Sequence, residues 1–407
     1  MQYTLRPYQK AAVEKLLWSQ KFPEPDICVL PTGAGKSLVI ADLAHKLNQP
    51  VLVLQPSREI LLQNQAKMET YVNPSEVGVY SAGVGRKDIS TFTFATIQSV
   101  YKKPEEFAHF KQVIIDECHS VNPKNLDGMF TAFLSRIGNP KVVGFTATPY
   151  RQEQFYERTS EGELYTHTTT KLINRIAPRF WHRIVFNINN HELVKAGFLV
   201  PLRYFDKSVI SHSDIPTNIS KSDFNLNAFE DKISKKETEI LETIFLAEQV
   251  SKSVLVFCSS IQQAQHYAEI VDNSAVVTAK TPPKLRAKIV DDFKTGKIKT
   301  VFNVGIFTVG FDHPGLDAIV LLRPTRSIAL YYQMLGRGVR KVEGKTHCKV
   351  FDLTGTVKEI GRIESIQLIR QGQWELISET GSWHKKPLYS FMVGQTTTTY
   401  TGNPFLD

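Results

Sequence analysis

The 407-residue chain has no apolar run near the ~18 residues that a membrane span needs, so no spanning helix is expected. Nor does it hold a Cys-x-x-Cys pair. Its four cysteines, Cys28, Cys118, Cys258 and Cys348, are far apart, and three sit in or beside apolar runs. That spacing excludes a structural zinc site and a disulfide framework, leaving reduced, mostly buried thiols. The opening MQYTLRPYQKAAVEKLLW lacks the basic-then-apolar layout of a secretory signal, so a cytoplasmic location is expected. No internal repeat of roughly 20–50 residues and no long low-complexity tract is evident.

What is present is ordinary for a globular protein: 42% hydrophobic and 22% charged residues. Lys plus Arg outnumber Asp plus Glu by 49 to 40, a net +9. That excess suits a polyanionic partner such as nucleic acid, although many basic enzymes bind none. The length exceeds one ordinary core, so two domains are expected.

Short β-branched runs alternate with amphipathic stretches. DICVL (26–30), VLVLQ (51–55), QVIID (112–116) and VVGFT (142–146) read as one set of strands. SVLVFC (253–258), AVVT (275–278), KTVFNV (299–304), AIVLL (318–322) and CKVFDL (348–353) read as a second. Runs this apolar fit strands covered on both faces, and the interleaved helices argue for parallel α/β sheets. HELVKAGFLVP (191–201) reads as a helix ended by Gly197. The polar stretch 206–235, with SHSDIPTNISKSDFN, reads as a surface excursion. We place the boundaries at 1–198, 199–370 and 371–407, the last a small β-rich appendage or a loose tail.

PTGAGKS, Pro31 to Ser37, follows the first strand and opens a helix. Thr32, Gly33, Ala34 and Gly35 are small enough for backbone N–H groups to crowd round an oxyanion at a helix N-terminus. Lys36 would reach the β- and γ-phosphates and Ser37 would ligate Mg²⁺. The strict phosphate-loop pattern is broken once, with Leu30 where its first glycine stands. VIIDECH supplies the acidic partner at a strand end: Asp116 would hold Mg²⁺ through its water shell, and Glu117 would orient and deprotonate the attacking water. His119 could couple this site to a neighbouring domain.

PTGAGKS, DECH, TATP and QMLGRGVR stand in the order found in superfamily-2 helicases and translocases, which the chain resembles from about residue 3 to 365. GFTATPYR and HELVKAGFLVP look closest to RadD-like ATP-dependent DNA helicases, with restriction-enzyme motor subunits as near neighbours. The resemblance implies two tandem RecA-like α/β domains, ATP and Mg²⁺ as cofactors, and a nucleic-acid partner, DNA more than RNA, in repair, recombination or replication. It also implies roles for single residues. Gln9, in LRPYQ, would read adenine, with Arg6 stacking or pairing nearby. Thr146 and Thr148 would couple the ATP and nucleic-acid sites. Arg337 and Arg340, three apart on one helix face, would neutralise the γ-phosphate, with Gln333 holding the water or phosphate. In NVGIFTVGFDHP, Gly310 would allow a tight turn, Asp312 accept from a ribose hydroxyl and Thr308 meet a phosphate; a strand–loop with a capping aspartate explains the same residues.

For gripping a strand, the candidates are Ser57 and Arg58 in QPSREILLQNQ, Thr96, Gln98 and Ser99 in ATIQSV, and Ser259 and Thr278 in the second domain. Such contacts go to the sugar-phosphate backbone and carry little sequence information. Helix capping is the competing use of each Ser and Thr. RadD-like relatives carry a Cys-rich C-terminal element, whereas residues 371–407 contain no Cys. Trp374, Trp383, Tyr389 and Phe391, with Lys385 and Lys386, could stack on nucleic acid or pack a β-appendage.

Overall fold

Nearly all the apolar runs are buried end to end as parallel strands. The computed structural model of the chain describes residues 3–122, 124–125, 128–158, 164–218, 222–305 and 313–381. Its contacts form two compact units. Unit 1 takes the chain to Arg151 and again from Lys171 to Ile188; unit 2 takes Gln152–Thr170 and the described residues from Asn189 onward.

Unit 1 opens with α1 (Pro7–Ser19), β1 (Asp26–Val29), α2 (Lys36–Lys46), β2 (Val51–Gln55) and α3 (Arg58–Met68). β3 (Val77–Ser81), β4 (Arg86–Lys87), β5 (Phe92–Thr96), α4 (Ile97–Val100), β6 (Gln112–Asp116), α5 (Met129–Arg136) and β7 (Lys141–Thr146) follow. A two-stranded ribbon, β8 (Tyr150–Arg158) with β9 (Leu164–Leu172), most of which belongs to unit 2, precedes β10 (Arg183–Asn187). The sheet order is β10-β1-β7-β6-β2-β5-β3-β4, parallel except for the short β4. β3, β5 and β10 go beyond the strands read from the sequence. Parallel pairing places the loops after β1, β2, β5, β6 and β7 at one edge, where ligands bind in open α/β sheets. At the opposite end, fully buried Asp26 joins three strands: Lys141 Nζ donates to it at 2.7 Å and Arg183 Nε at 2.8 Å.

Unit 2 contains α6 (Asn190–Lys195), β11 (Leu202–Asp206), α7 (Leu226–Ile233), α8 (Glu237–Gln249), β12 (Val254–Cys258), α9 (Ile261–Ile270), β13 (Ser274–Thr278) and α10 (Pro283–Lys294). β14 (Thr300–Val304), β15 (Ala318–Leu322), α11 (Ile328–Leu335), β16 (Cys348–Asp352), α12 (Thr356–Ile360), β17 (Ile366–Gln371) and β18 (Gln373–Ser378) complete it. Six of its strands run parallel in one sheet, in the order β11-β16-β15-β12-β14-β13. The two sheets are the tandem RecA-like architecture expected.

Gly197 ends α6 as read, at φ +72°, with Phe198 N–H donating to Leu193 O at 2.8 Å and Gly197 N–H to Val194 O at 2.9 Å. Contacts change units between Ile188 and Asn189, upstream of 198–199. Val200 N–H donates to Val339 O at 2.8 Å, and Leu199 bridges to Arg340, which tie this segment to unit 2. The stretch read as a surface excursion is anchored: Ile215 and Phe224, each 4% exposed, join the core with Phe229, Val256 and Phe351. β17 and β18 pair as an antiparallel hairpin, so the β-rich element begins before residue 371 and includes Trp374. Trp383, Lys385, Lys386, Tyr389 and Phe391 lie outside the described residues.

Candidate functional site

Leu30, at the first-glycine position, is fully buried and extends β1 by donating its N–H to Thr146 O at 3.0 Å. Leu30 lies just past the end of β1 and ahead of the turn, so no glycine is needed. The turn begins at Pro31, whose carbonyl accepts from Ala34 N–H at 3.1 Å, and carries Thr32 part-exposed. Gly33 and Gly35 have φ of +84° and +78°, a region that disfavours any side chain. At Gly35 the space is also closed, because a Cβ would come within 2.5 Å of Gln9 Nε2. α2 then starts at Lys36, with Ser37 next.

The start of α1 grips this loop. Tyr8 OH and Gln9 Nε2 both donate to Ala34 O, at 2.7 and 2.9 Å, while Arg6 N–H donates to Gln9 Oε1 at 2.9 Å. Gln9, expected to read adenine, is thus 2% exposed and also holds the phosphate loop. Arg6 Nη1 reaches Tyr8 OH at 3.3 Å.

β6 delivers Asp116 and Glu117 to the same edge. Glu117 sits in the left-handed region, φ 51° and ψ 50°, which turns its side chain back onto Lys36. Lys36 Nζ lies 2.5 Å from Glu117 Oε1 and 3.7 Å from Asp116 Oδ1. Burial alone would push the ammonium down, but the two carboxylates outweigh it and its pKa is raised. Burial raises the pKa of Asp116, opposed by Lys36. Asp116 Oδ1 accepts Glu117 N–H at 2.9 Å, and Oδ2 accepts Asn64 Nδ2 at 2.9 Å. A hydroxyl, a carboxylate and a glycine turn closed to side chains form a hard-oxygen, phosphate-compatible set that fits Mg²⁺ and a nucleotide.

His119 and the TATP segment meet as expected. His119 Nδ1 is 2.9 Å from Thr146 Oγ1, 3.3 Å from Thr148 Oγ1 and 3.4 Å from Glu117 Oε2. Burial lowers its pKa, so the ring is neutral near pH 7.

Ser57, Arg58, Thr96, Gln98 and Ser99 line one cavity of about 440 Å³, together with Tyr80, Lys87 and Lys103. Arg58, Lys87 and Gln98 are exposed. Ser57 Oγ caps α3 by accepting Ile60 N–H at 3.4 Å, and Thr96 and Ser99 share a contact at 2.9 Å. A second cavity of about 260 Å³ begins beyond Pro56 and Gln98.

In unit 2 the expectations need adjusting. Ser259 is 6% exposed, and its hydroxyl is committed to Glu230 Oε1 at 2.6 Å and Gln263 Oε1 at 2.9 Å; Ser260 instead caps α9. Thr278 is 5% exposed and builds a turn, accepting Lys280 N–H at 3.1 Å. Gln333 lies on α11, but the helix ends at Leu335, so Arg337 and Arg340 do not share a helix face. Just past the helix, Gly338 packs closely, and a Cβ there would meet Cys348 Sγ at 2.8 Å and Leu202 Cδ2 at 3.1 Å. Arg337 is buried in the turn, and Arg340 sits in the bridge to Leu199. Thr308, Gly310 and Asp312 lie outside the described residues.

Asn64 was not singled out from the sequence. Its signal is an amide within the buried stripe Ile60, Leu61, Asn64, Gln65 and Met68 of α3.

Residues 2–151 match the family "Type III restriction enzyme, res subunit", and residues 235–342 match the "Helicase conserved C-terminal domain". IRC3 of Saccharomyces cerevisiae, provisionally named an ATP-dependent helicase, is 26% identical over 380 residues, covering 86% of this chain and 51% of its own length. The DNA 3'-5' translocase XPB2 of Sulfurisphaera tokodaii is 24% identical over 366 residues, covering 83% of this chain and 79% of the relative. S. cerevisiae Dbp5 bound to RNA and ADP BeF3 matches with a TM-score of 0.54 at 15% identity, over 86% of this chain and 83% of that one, a likeness of fold. The chain spans 51% of the length of IRC3.

Proposed function

We propose that this chain, which belongs to the superfamily-2 helicases, is an ATP-hydrolysing motor that moves along or remodels DNA. The observation that carries this reading lies within unit 1. One sheet edge presents a phosphate loop with Lys36, Asp116 and Glu117 converged on it, and also a basic groove lined by five backbone-contact candidates.

Lys36 leaves Glu117 for the β- and γ-phosphates of bound ATP. Glu117 is thereby released to orient and deprotonate the attacking water. Ser37 and Asp116 would hold Mg²⁺, which neutralises phosphate charge when bound. His119, Thr146 and Thr148 relay changes at Glu117. Gln333, Arg337 and Arg340 are assigned to the γ-phosphate, Gly310 and Asp312 to the nucleotide, and Thr308 to the strand, all on the resemblance; the hydroxyls of Ser259 and Thr278 are held within unit 2. Four free thiols and a nucleic-acid substrate lead us to a cytoplasmic site of action.

DNA is preferred because a superfamily relative of similar extent is named a DNA translocase. The test is ATPase activity with no strand, single-stranded DNA, duplex, fork and matched RNA. Stimulation by DNA, abolished in K36A, supports the reading; stronger stimulation by RNA overturns the substrate, and unchanged turnover in K36A overturns the site. A motor without unwinding is the second reading, favoured by the restriction-subunit family match. Strand displacement on the best activator separates the two.

A further inference from the structure

α3 has different neighbours at its two ends. At its start, Ser57 caps the helix and Arg58 lines the 440 Å³ groove. Farther on, its buried stripe packs against α2, the helix that follows the phosphate loop. An apolar residue would suffice at position 64, and a buried amide without a partner is costly. Asn64 is 1% exposed, and its Nδ2 donates to Asp116 Oδ2 at 2.9 Å, joining side chains 52 residues apart. That bond fixes the carboxylate so that Oδ1 takes Glu117 N–H and faces Lys36.

We propose that Asn64 is a positioning residue through which occupancy of the groove sets the carboxylate of Asp116. The inference rests on the reading of the groove as a nucleic-acid track. Ser57 and Asn64 are separated by about 10 Å of one helix, a rigid element. A phosphate drawn onto Ser57 and Arg58 moves α3 as a unit. N–H···O hydrogen bonds span roughly 2.7–3.2 Å, so a shift of about half an ångström takes this one out of range and is felt at Asp116. The helix that touches the strand therefore also aims the metal-binding carboxylate, without passing through His119 or the TATP segment.

The experiment compares the wild-type full chain with N64L. ATPase is measured with and without single-stranded DNA, and affinity for a labelled oligothymidine by anisotropy, with and without Mg²⁺ and a non-hydrolysable ATP analogue. The stimulated-to-basal ratio should fall about tenfold or more, the loss of one hydrogen bond to a charged group. Strand affinity without nucleotide should stay within about threefold, because Asn64 does not line the groove. The nucleotide-induced change in strand affinity should disappear, since coupling is reciprocal. A wild-type ratio and a wild-type nucleotide-induced change in N64L overturn the inference while leaving the motor reading intact. A wild type that no strand stimulates removes both. If N64L fails to fold, N64A, which removes the donor without adding bulk or charge, should show the same loss; retained coupling there is equally fatal.

Discussion

The ion pair between Lys36 and Glu117 can be weighed with nucleotide absent. At 2.5 Å the attraction is gross about 7 kcal/mol in an effective dielectric near 20. Desolvation cancels most of this, and the side chains remain 13% and 18% exposed, so water shares the interaction. K36M strands two carboxylates at once and should lower stability by about 2 kcal/mol. E117Q should cost less, about 1 kcal/mol, because Asp116 still faces the ammonium. In K36M/E117Q only one carboxylate is stranded, so the double variant should recover about 1 kcal/mol relative to the sum of the singles. The assay is equilibrium urea unfolding of the four nucleotide-free, metal-free proteins. Effects that add to within about 0.5 kcal/mol would refute the claim that Lys36 and Glu117 hold each other until phosphate arrives.

Three further outcomes follow from the same geometry. E117Q should lose at least about a hundredfold in ATP turnover while binding nucleotide as well as or better than wild type, because a competitor for Lys36 is gone; filter binding beside an ATPase assay checks both, and lost binding refutes the assignment. R58A should weaken DNA binding independently of sequence and flatten the log–log salt dependence by about one unit, measured by salt titration; an unchanged slope removes Arg58 from the track. His212 is pushed down to about 4 by burial, with Arg326 adding to the effect. The unfolded chain takes up this proton near pH 6.5 and the folded one only near 4, so the contribution to stability is complete above 6.5 and lost as pH falls through that window. The melting temperature should decline between pH 6.5 and 4 more steeply in wild type than in H212N, and parallel curves would refute the role.

The convergence of Lys36 with Asp116 and Glu117 was legible because its chemistry is local. PTGAGKS and DECH each place their groups within a few residues of a strand end, and strand ends follow from apolar runs. The five strand-contact candidates were picked as small, polar and basic residues at helix starts, and the pairing of β2 with β5 brings 57–58 beside 96–99. Other features depend on distant partners. β3 and β10 are as long as β2, but their pairing is set by tertiary neighbours rather than by pattern. The helix expected through Arg337 and Arg340 stops at Leu335, and Gly338 beyond it packs against β11 and β16, a contact that periodicity does not encode. Ser259 looked available as a helix-start serine, yet Glu230 from α7 claims it. Asn64 was invisible for the same reason: its meaning lies in a carboxylate 52 residues away.

The placement of β10 bears on where this protein can be cut. β1, which delivers the phosphate loop, is flanked by β7 on one side and β10 on the other. A fragment ending where the first family match ends, at residue 151, would leave the backbone of β1 as a bare parallel edge and strip Arg183 from buried Asp26. Unsatisfied edges of that kind recruit other chains. An expression fragment meant to behave as a free nucleotide-binding module therefore has to run through Ile188, carrying the β8–β9 ribbon with it.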